Sequence, residues 1–80
     1  MTIANNVPLS AHVKLAVNQY LDQLDGQQAS GLHAMVLAEV EKPLLEATLQ
    51  YAGHNQTKTA QVLGISRSTL RKKLEQYNIS

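Results

Sequence analysis

The sequence predicts an all-α chain of four helices, two long ones that pack and two short ones that present a surface. Three observations carry this. Apolar residues recur at steps of three and four from Leu9 to Leu24 and again from Leu32 to Tyr51, the spacing of one face of a helix. Gly26, Gly53 and Gly64 follow the periodic stretches, and glycine tolerates the left-handed conformation in which helices end. No internal repeat, low-complexity segment or useful strand-like alternation interrupts them.

Residues 1–7 show no periodicity and no core-sized cluster, and are expected to form a mobile tail. Pro8 suits the start of a helix, where its missing N–H is not needed. Leu9, Val13, Ala16, Val17, Tyr20, Leu21 and Leu24 then form one stripe, closed by Asp25-Gly26. A polar loop from Gln27 to Gly31 follows, with Ser30 placed to cap the next helix.

From Leu32 to about Tyr51, a second stripe consists of Met35, Val36, Val40, Leu44, Ala47 and Tyr51, widened by Leu37, Leu45 and Leu49. A helix apolar over so much of its circumference touches neighbours on more than one side. Pro43 falls inside this pattern without breaking its phase. One kinked helix is therefore expected rather than two, with the Glu39 carbonyl losing its usual donor.

Gly53-His54-Asn55 ends that helix, and Asn55 is placed to cap a third by accepting from the Thr57 or Lys58 N–H. The third helix is expected over about Gln56 to Leu63 and the fourth over about Arg67 to Gln76, capped by Ser66. Ala60, Val62 and Leu63 lie before Gly64, and Ile65, Leu70 and Leu74 after it. A small residue where two helices touch, a glycine turn, and apolar residues on both sides make a helix-turn-helix. Arg67, Ser68, Arg71 and Lys72 remain for the outer face of the last helix, a surface suited to the major groove of DNA. The expected organisation is a tail at 1–7, a helical dimerisation region at 8–52 and a helix-turn-helix at 53–80.

Eighty residues make one small domain, which buries only about 60% of its unfolded surface. With no cysteine there is neither a disulfide framework nor a Cys-based metal site. A 44% hydrophobic content is more than a polar tail carries, and self-association would cover that surface. No apolar run reaches the roughly 18 residues of a membrane span, and no charged-then-apolar leader opens the chain. An intracellular, soluble protein is expected.

The net charge of +1 conceals a division. Residues 1–52 set Lys14 and Lys42 against Asp22, Asp25, Glu39, Glu41 and Glu46, a net of −3. Residues 53–80 set Lys58, Arg67, Arg71, Lys72 and Lys73 against Glu75, a net of +4. Such asymmetry points to an anionic partner for the C-terminal part. A solvated helix face would explain the cations alone, but not their coupling to Ala60, Gly64, Ile65 and Leu70.

Neither His33 nor His54 has an acid, nucleophile or second histidine at a meaningful spacing, and His12 stands equally alone. Glu39 and Glu41, two apart, point to different sides of a helix. Ser66, Ser68 and Thr69 have hydroxyls but no general base. The expectation is no enzyme, no metal, no cofactor and no small-molecule substrate.

The stretches LAEVEKPLLEATLQY (37–51) and NQTKTAQVLGISRSTLRKKLEQY (55–77) resemble the Fis family of bacterial nucleoid-associated proteins. The same C-terminal motif closes NtrC-type activators. The first stretch with its internal Pro43, the chain length and the lack of an ATPase domain favour Fis. The resemblance implies a cytoplasmic, nucleoid-associated homodimer whose first two helices interlock with their partners into a four-helix core. Leu9, Val13, Val17, Leu21, Val36, Val40 and Leu44 would furnish that core. Two recognition helices would then sit closer together than successive major grooves of straight DNA. The duplex must bend, and an A/T-rich centre that compresses cheaply is favoured.

The resemblance further implies that Arg67 reads a guanine edge, with Ser66 as a second base contact where the family usually has asparagine. Asn55, Thr57, Lys58, Thr69, Arg71, Lys72 and Lys73 match backbone-contacting or groove-lining positions. Gly53, His54 and Gln56 occupy the turn linked to flanking DNA and to RNA polymerase, a candidate partner.

The chain departs from the family in three further places. Only about seven residues precede the first helix, too few for the mobile hairpin that stimulates a recombinase, so no stimulation of inversion is expected. Gly53-His54 lacks the basic residue common in that turn. Glu75 and Gln76 replace lysines at the end of the recognition helix, which weakens flanking-DNA wrapping. Two rival readings stay open on the sequence. One is a helical dimerisation module that docks an acidic protein surface, the other the isolated DNA-binding domain of an activator.

Overall fold

The computed structural model describes residues 1–3 and 6–80 of the chain. Four helices carry the fold: α1 (Leu9–Gln23), α2 (Leu32–Tyr51), α3 (Gln56–Leu63) and α4 (Arg67–Gln76). Two compact units divide the chain, Met1–Leu32 and His33–Ser80.

In the first unit, β1 (Thr2–Ile3) pairs antiparallel with β2 (Val7–Pro8), Thr2 opposite Pro8 and Ile3 opposite Val7. The Leu9 N–H donates to the Met1 carbonyl at 3.2 Å. The segment read as an unpaired tail, too short for a hairpin, thus contains a pairing of two residues a side. Ala4 and Asn5, within that expected tail, lie outside the described residues. Two of the described residues suit the pairing. Asn6 takes a left-handed φ of 59°, which asparagine tolerates, and Pro8 stands at a strand end where no donor is required. Pro8 is extended (φ −67°, ψ 147°) and immediately precedes α1. That helix buries none of its residues in the single chain, and Asp25 and Gly26, both left-handed, follow its end.

In the second unit, α2 runs unbroken through Pro43, as the apolar phase predicts. It begins directly after Gly31, one residue beyond Ser30. Only one side of its C-terminal half is buried. Leu45 and Leu49 join Ala60 of α3 and Leu70 and Leu74 of α4 in one core, flanked by Leu63, Ile65, Tyr77 and Ile79. Two buried threonines are satisfied locally: Thr48 Oγ1 donates to the Leu44 carbonyl at 2.7 Å, and Thr59 Oγ1 to the Asn55 carbonyl at 2.8 Å.

The three helices of this unit end in one manner. Each is followed by a left-handed residue, Gly53 (φ 62°), Gly64 (φ 76°) or Asn78 (φ 56°). The next N–H in each case reaches back to a carbonyl of the last turn: His54 to Leu49, Ile65 to Ala60 and Ile79 to Leu74. Terminal carbonyls are thereby paired without solvent. At Gly64 this reversal sets α4 against α3.

Among the described residues no group of three His, Cys, Asp or Glu could hold a metal ion, and no helix is long and apolar enough to cross a membrane.

Candidate nucleic-acid interface

The site is assembled from the starts of α3 and α4. Asn55 caps α3 by accepting from the Lys58 N–H at 3.0 Å through its side-chain oxygen, one of the two donors expected from sequence. Asn55, Gln56, Thr57 and Lys58 are all exposed. The Lys58 ammonium lies 6.0 Å from the centre of the exposed Tyr51 ring, a distance at which a cation still feels the ring face.

Ser66 caps α4 by accepting from the Thr69 N–H at 3.1 Å. Its hydroxyl also donates to Thr69 Oγ1 at 2.8 Å and lies 3.2 Å from Ser68 Oγ. The cap therefore uses the hydroxyl proton and one lone pair, and the second lone pair faces Ser68 Oγ.

Beyond the cap, α4 has two unlike sides. Leu70 and Leu74 are buried, whereas Arg67, Ser68, Arg71 and Lys72 are exposed. Two guanidinium groups and an ammonium on one short helix make a cationic surface with a forked donor set at its N-terminal end. Glu75 and Gln76 are exposed as well and leave the C-terminal end of that surface less positive.

Lys73 behaves differently. It is half-buried, and its Nζ lies 2.8 Å from Glu41 Oε2 on α2. The other carboxylate oxygen, Oε1, accepts from the Tyr77 hydroxyl at 2.6 Å. First the Lys73 ammonium and then the Tyr77 hydroxyl hold the Glu41 carboxyl below the usual carboxylate range, and the bond to Glu41 pushes the Tyr77 phenol up. Glu41 and Tyr77 were not singled out as site residues from the sequence. The available signal was the step of four from Lys73 to Tyr77 beside the buried Leu70 and Leu74, but nothing in it names a partner 32 residues away.

Of the turn residues, Gly53, His54 and Gln56 are exposed. His54 holds a left-handed φ of 65° without being glycine. The seven apolar positions expected in a shared core are not buried in the single chain: Leu9, Leu21, Val40 and Leu44 are exposed, Val13, Val17 and Val36 half-buried. On α2 the exposed apolar side continues through Leu37, Val40, Leu44, Ala47 and Tyr51.

Residues 36–77 match the family described as bacterial regulatory protein, Fis family. Residues 2–29 match the N-terminal domain of DNA-binding protein Fis. Similar curated proteins include the DNA-binding protein Fis of Histophilus somni, 53% identical over 74 residues, covering 92% of this chain and 76% of the relative. That of Pasteurella multocida is 53% identical over 74 residues, covering 92% and 75%. That of Vibrio atlanticus is 51% identical over 73 residues, covering 91% and 74%.

Proposed function

The chain belongs to the Fis family of bacterial DNA-binding regulatory proteins, and from that premise we propose that it works as a homodimer that bends the DNA it binds. It is a regulator and not an enzyme. The observation that carries the DNA-binding surface is the division of α4, with Leu70 and Leu74 buried and Arg67, Arg71 and Lys72 exposed. Laid in a major groove, Arg67 at its N-terminal end bonds O6 and N7 of a guanine together. Ser66, shorter and engaged in its own cap, discriminates less than the asparagine that it replaces. Asn55, Thr57 and Lys58 at the start of α3, with Thr69, Arg71 and Lys72 on α4, hold the phosphates and fix register.

Self-association is supported by the apolar sides of α1 and α2, which the single chain leaves uncovered. A run such as Leu37, Val40, Leu44 and Tyr51, exposed along one helix, marks an interaction surface. A second copy is its occupant in this reading, with Leu9, Val13, Val17, Leu21 and Val36 completing the shared core. Two α4 helices on one face of the DNA then demand a bend, and an A/T-rich centre selects sites by deformability. Nucleoid organisation and transcriptional control follow from such binding. The exposed turn at Gly53, His54 and Gln56 is the place for an RNA polymerase contact.

Fluorescence anisotropy on two duplexes tests the reading. Both carry G/C pairs spaced for two Arg67 side chains, one around an A/T-rich centre and one around a G/C-rich centre. The expected result is tighter binding to the first, with log affinity falling linearly and steeply with log salt. No binding to either at low salt would replace this reading with docking on an acidic protein.

A further inference from the structure

We propose that Glu41 is a positioning residue for DNA recognition: by holding Lys73 it keeps that cation off the DNA backbone and fixes the C-terminal end of α4. The inference rests on the DNA-binding reading above. By charge alone, Lys72 and Lys73 are equivalent phosphate seekers. Geometry separates them. Lys72 is exposed, whereas Lys73 lies half-buried with its ammonium 2.8 Å from Glu41 Oε2.

Both oxygens of Glu41 are engaged, one by Lys73 and the other by the Tyr77 hydroxyl at 2.6 Å. These two partners stand four residues apart, on one side of the helix. They draw the same side of α4 toward α2, beside the buried Leu74. Two attachments along one line, with Leu70 and Leu74 underneath, fix the rotation of α4 and so the direction in which Arg67 leaves it.

The charge consequence concerns specificity. A free lysine near DNA adds affinity for every sequence, because phosphates carry no sequence information. Pairing with Glu41 cancels that contribution. For Lys73 to reach a phosphate it would have to leave Glu41 charged and uncompensated close to a polyanion. The ion pair thus lowers sequence-independent affinity while it orients the residue that reads bases.

Salt titrations on a preferred and a scrambled duplex test this with Glu41→Gln, Lys73→Gln and the double variant. Replacing the whole pair by two glutamines leaves net charge unchanged, and the slope of log affinity against log salt is expected to equal that of the wild type. Glu41→Gln alone frees Lys73, and is expected to steepen the slope by about 0.9 per subunit and narrow the preferred-to-scrambled ratio several-fold. A slope that falls by about 0.9 per subunit in the double variant would overturn the inference, as would an unchanged slope and ratio for Glu41→Gln.

Amine labelling of the wild-type protein, read residue by residue by mass spectrometry, does not depend on any variant folding. Lys72 is expected to label fast alone and slowly with DNA, and Lys73 slowly in both states. Fast labelling of Lys73 in the free protein contradicts the proposal. Failure of the wild type to bind either duplex removes the DNA-binding reading and the inference with it, an outcome distinct from any change of slope.

Discussion

Glu41 on the long helix and Tyr77, one residue past α4, meet in a 2.6 Å hydrogen bond across 36 residues of chain, and the phenol donates. Its short length fits an O–H bonded to an ionised carboxylate. The tie makes the seating of α4 sensitive to the charge on one carboxyl group.

Stability should therefore depend on pH through Glu41. Its carboxyl titrates below the ordinary 4.5 in the folded chain, chiefly because of Lys73 and then Tyr77. Stabilisation is fully present above the unfolded value and lost as pH falls through the lower folded one. Urea unfolding of wild type and Glu41→Gln should differ most near neutral pH and converge as pH falls through the lowered folded value. Tyr77 acts at the other end of the scale. With its folded value raised above 10.0, its contribution holds below that and fades as pH rises through the folded value.

Arg67→Ala and Lys72→Ala should fail in different ways. Loss of a base-reading fork costs about 1–3 kcal/mol on the preferred duplex and flattens preference, while loss of a phosphate contact weakens all sequences and reduces the salt slope by about 1. Equal losses on preferred and scrambled DNA for Arg67→Ala would exclude it as the base reader.

Gly64→Ala isolates backbone strain. A Cβ at this position meets nothing within 4 Å, but φ is +76°. The expected cost is about 1–2 kcal/mol from the left-handed conformation alone. Gly64→Asn should cost less, since asparagine visits that conformation more readily. Thermal or urea unfolding measures both, and equal costs would show that the turn carries a steric constraint instead.

Leu44 and Leu45 are neighbours with opposite fates, 48% and 1% exposed. Leu45→Ala should cost about 2–5 kcal/mol by opening a cavity and leave the sedimentation of folded protein unchanged. Leu44→Glu should instead shift the association equilibrium, seen as concentration-dependent sedimentation. A Leu44→Glu protein that sediments as the wild type would refute the proposed shared core at this position.

Ser66→Ala should destabilise α4 by about 0.5–2 kcal/mol, the worth of an N-cap. Because the hydroxyl already serves Thr69, the variant should lose more in thermal midpoint than in base preference. A larger loss of preference than of stability would make Ser66 a base reader first.

The helix-turn-helix was legible because its boundaries are chemical. Asn55, Gly64 and Ser66 each solve a local hydrogen-bonding or backbone problem at a helix end, and the expected spans 56–63 and 67–76 match α3 and α4. The passage of α2 through Pro43 was legible from phase alone. Two features were not. The β1–β2 pairing lies in a stretch without periodicity, where nothing in the residue pattern announces two strands. The anchoring of Lys73 depends on an acid 32 residues away, and charge pattern cannot rank two adjacent lysines that differ only in which side of a helix they occupy.

The burial of α2 on one side only after Pro43 has an architectural consequence. Everything required to close the core of α3 and α4 lies on the C-terminal side, from Leu45 and Leu49 to the left-handed caps at Gly53, Gly64 and Asn78, with Glu41 just upstream as the outlying strut. That portion holds the buried cluster of the second unit within itself. Spliced behind another helix of matching phase it should keep its shape, which the helical circular dichroism of such a fusion would check, while the apolar ridge of the host helix decides what it is joined to.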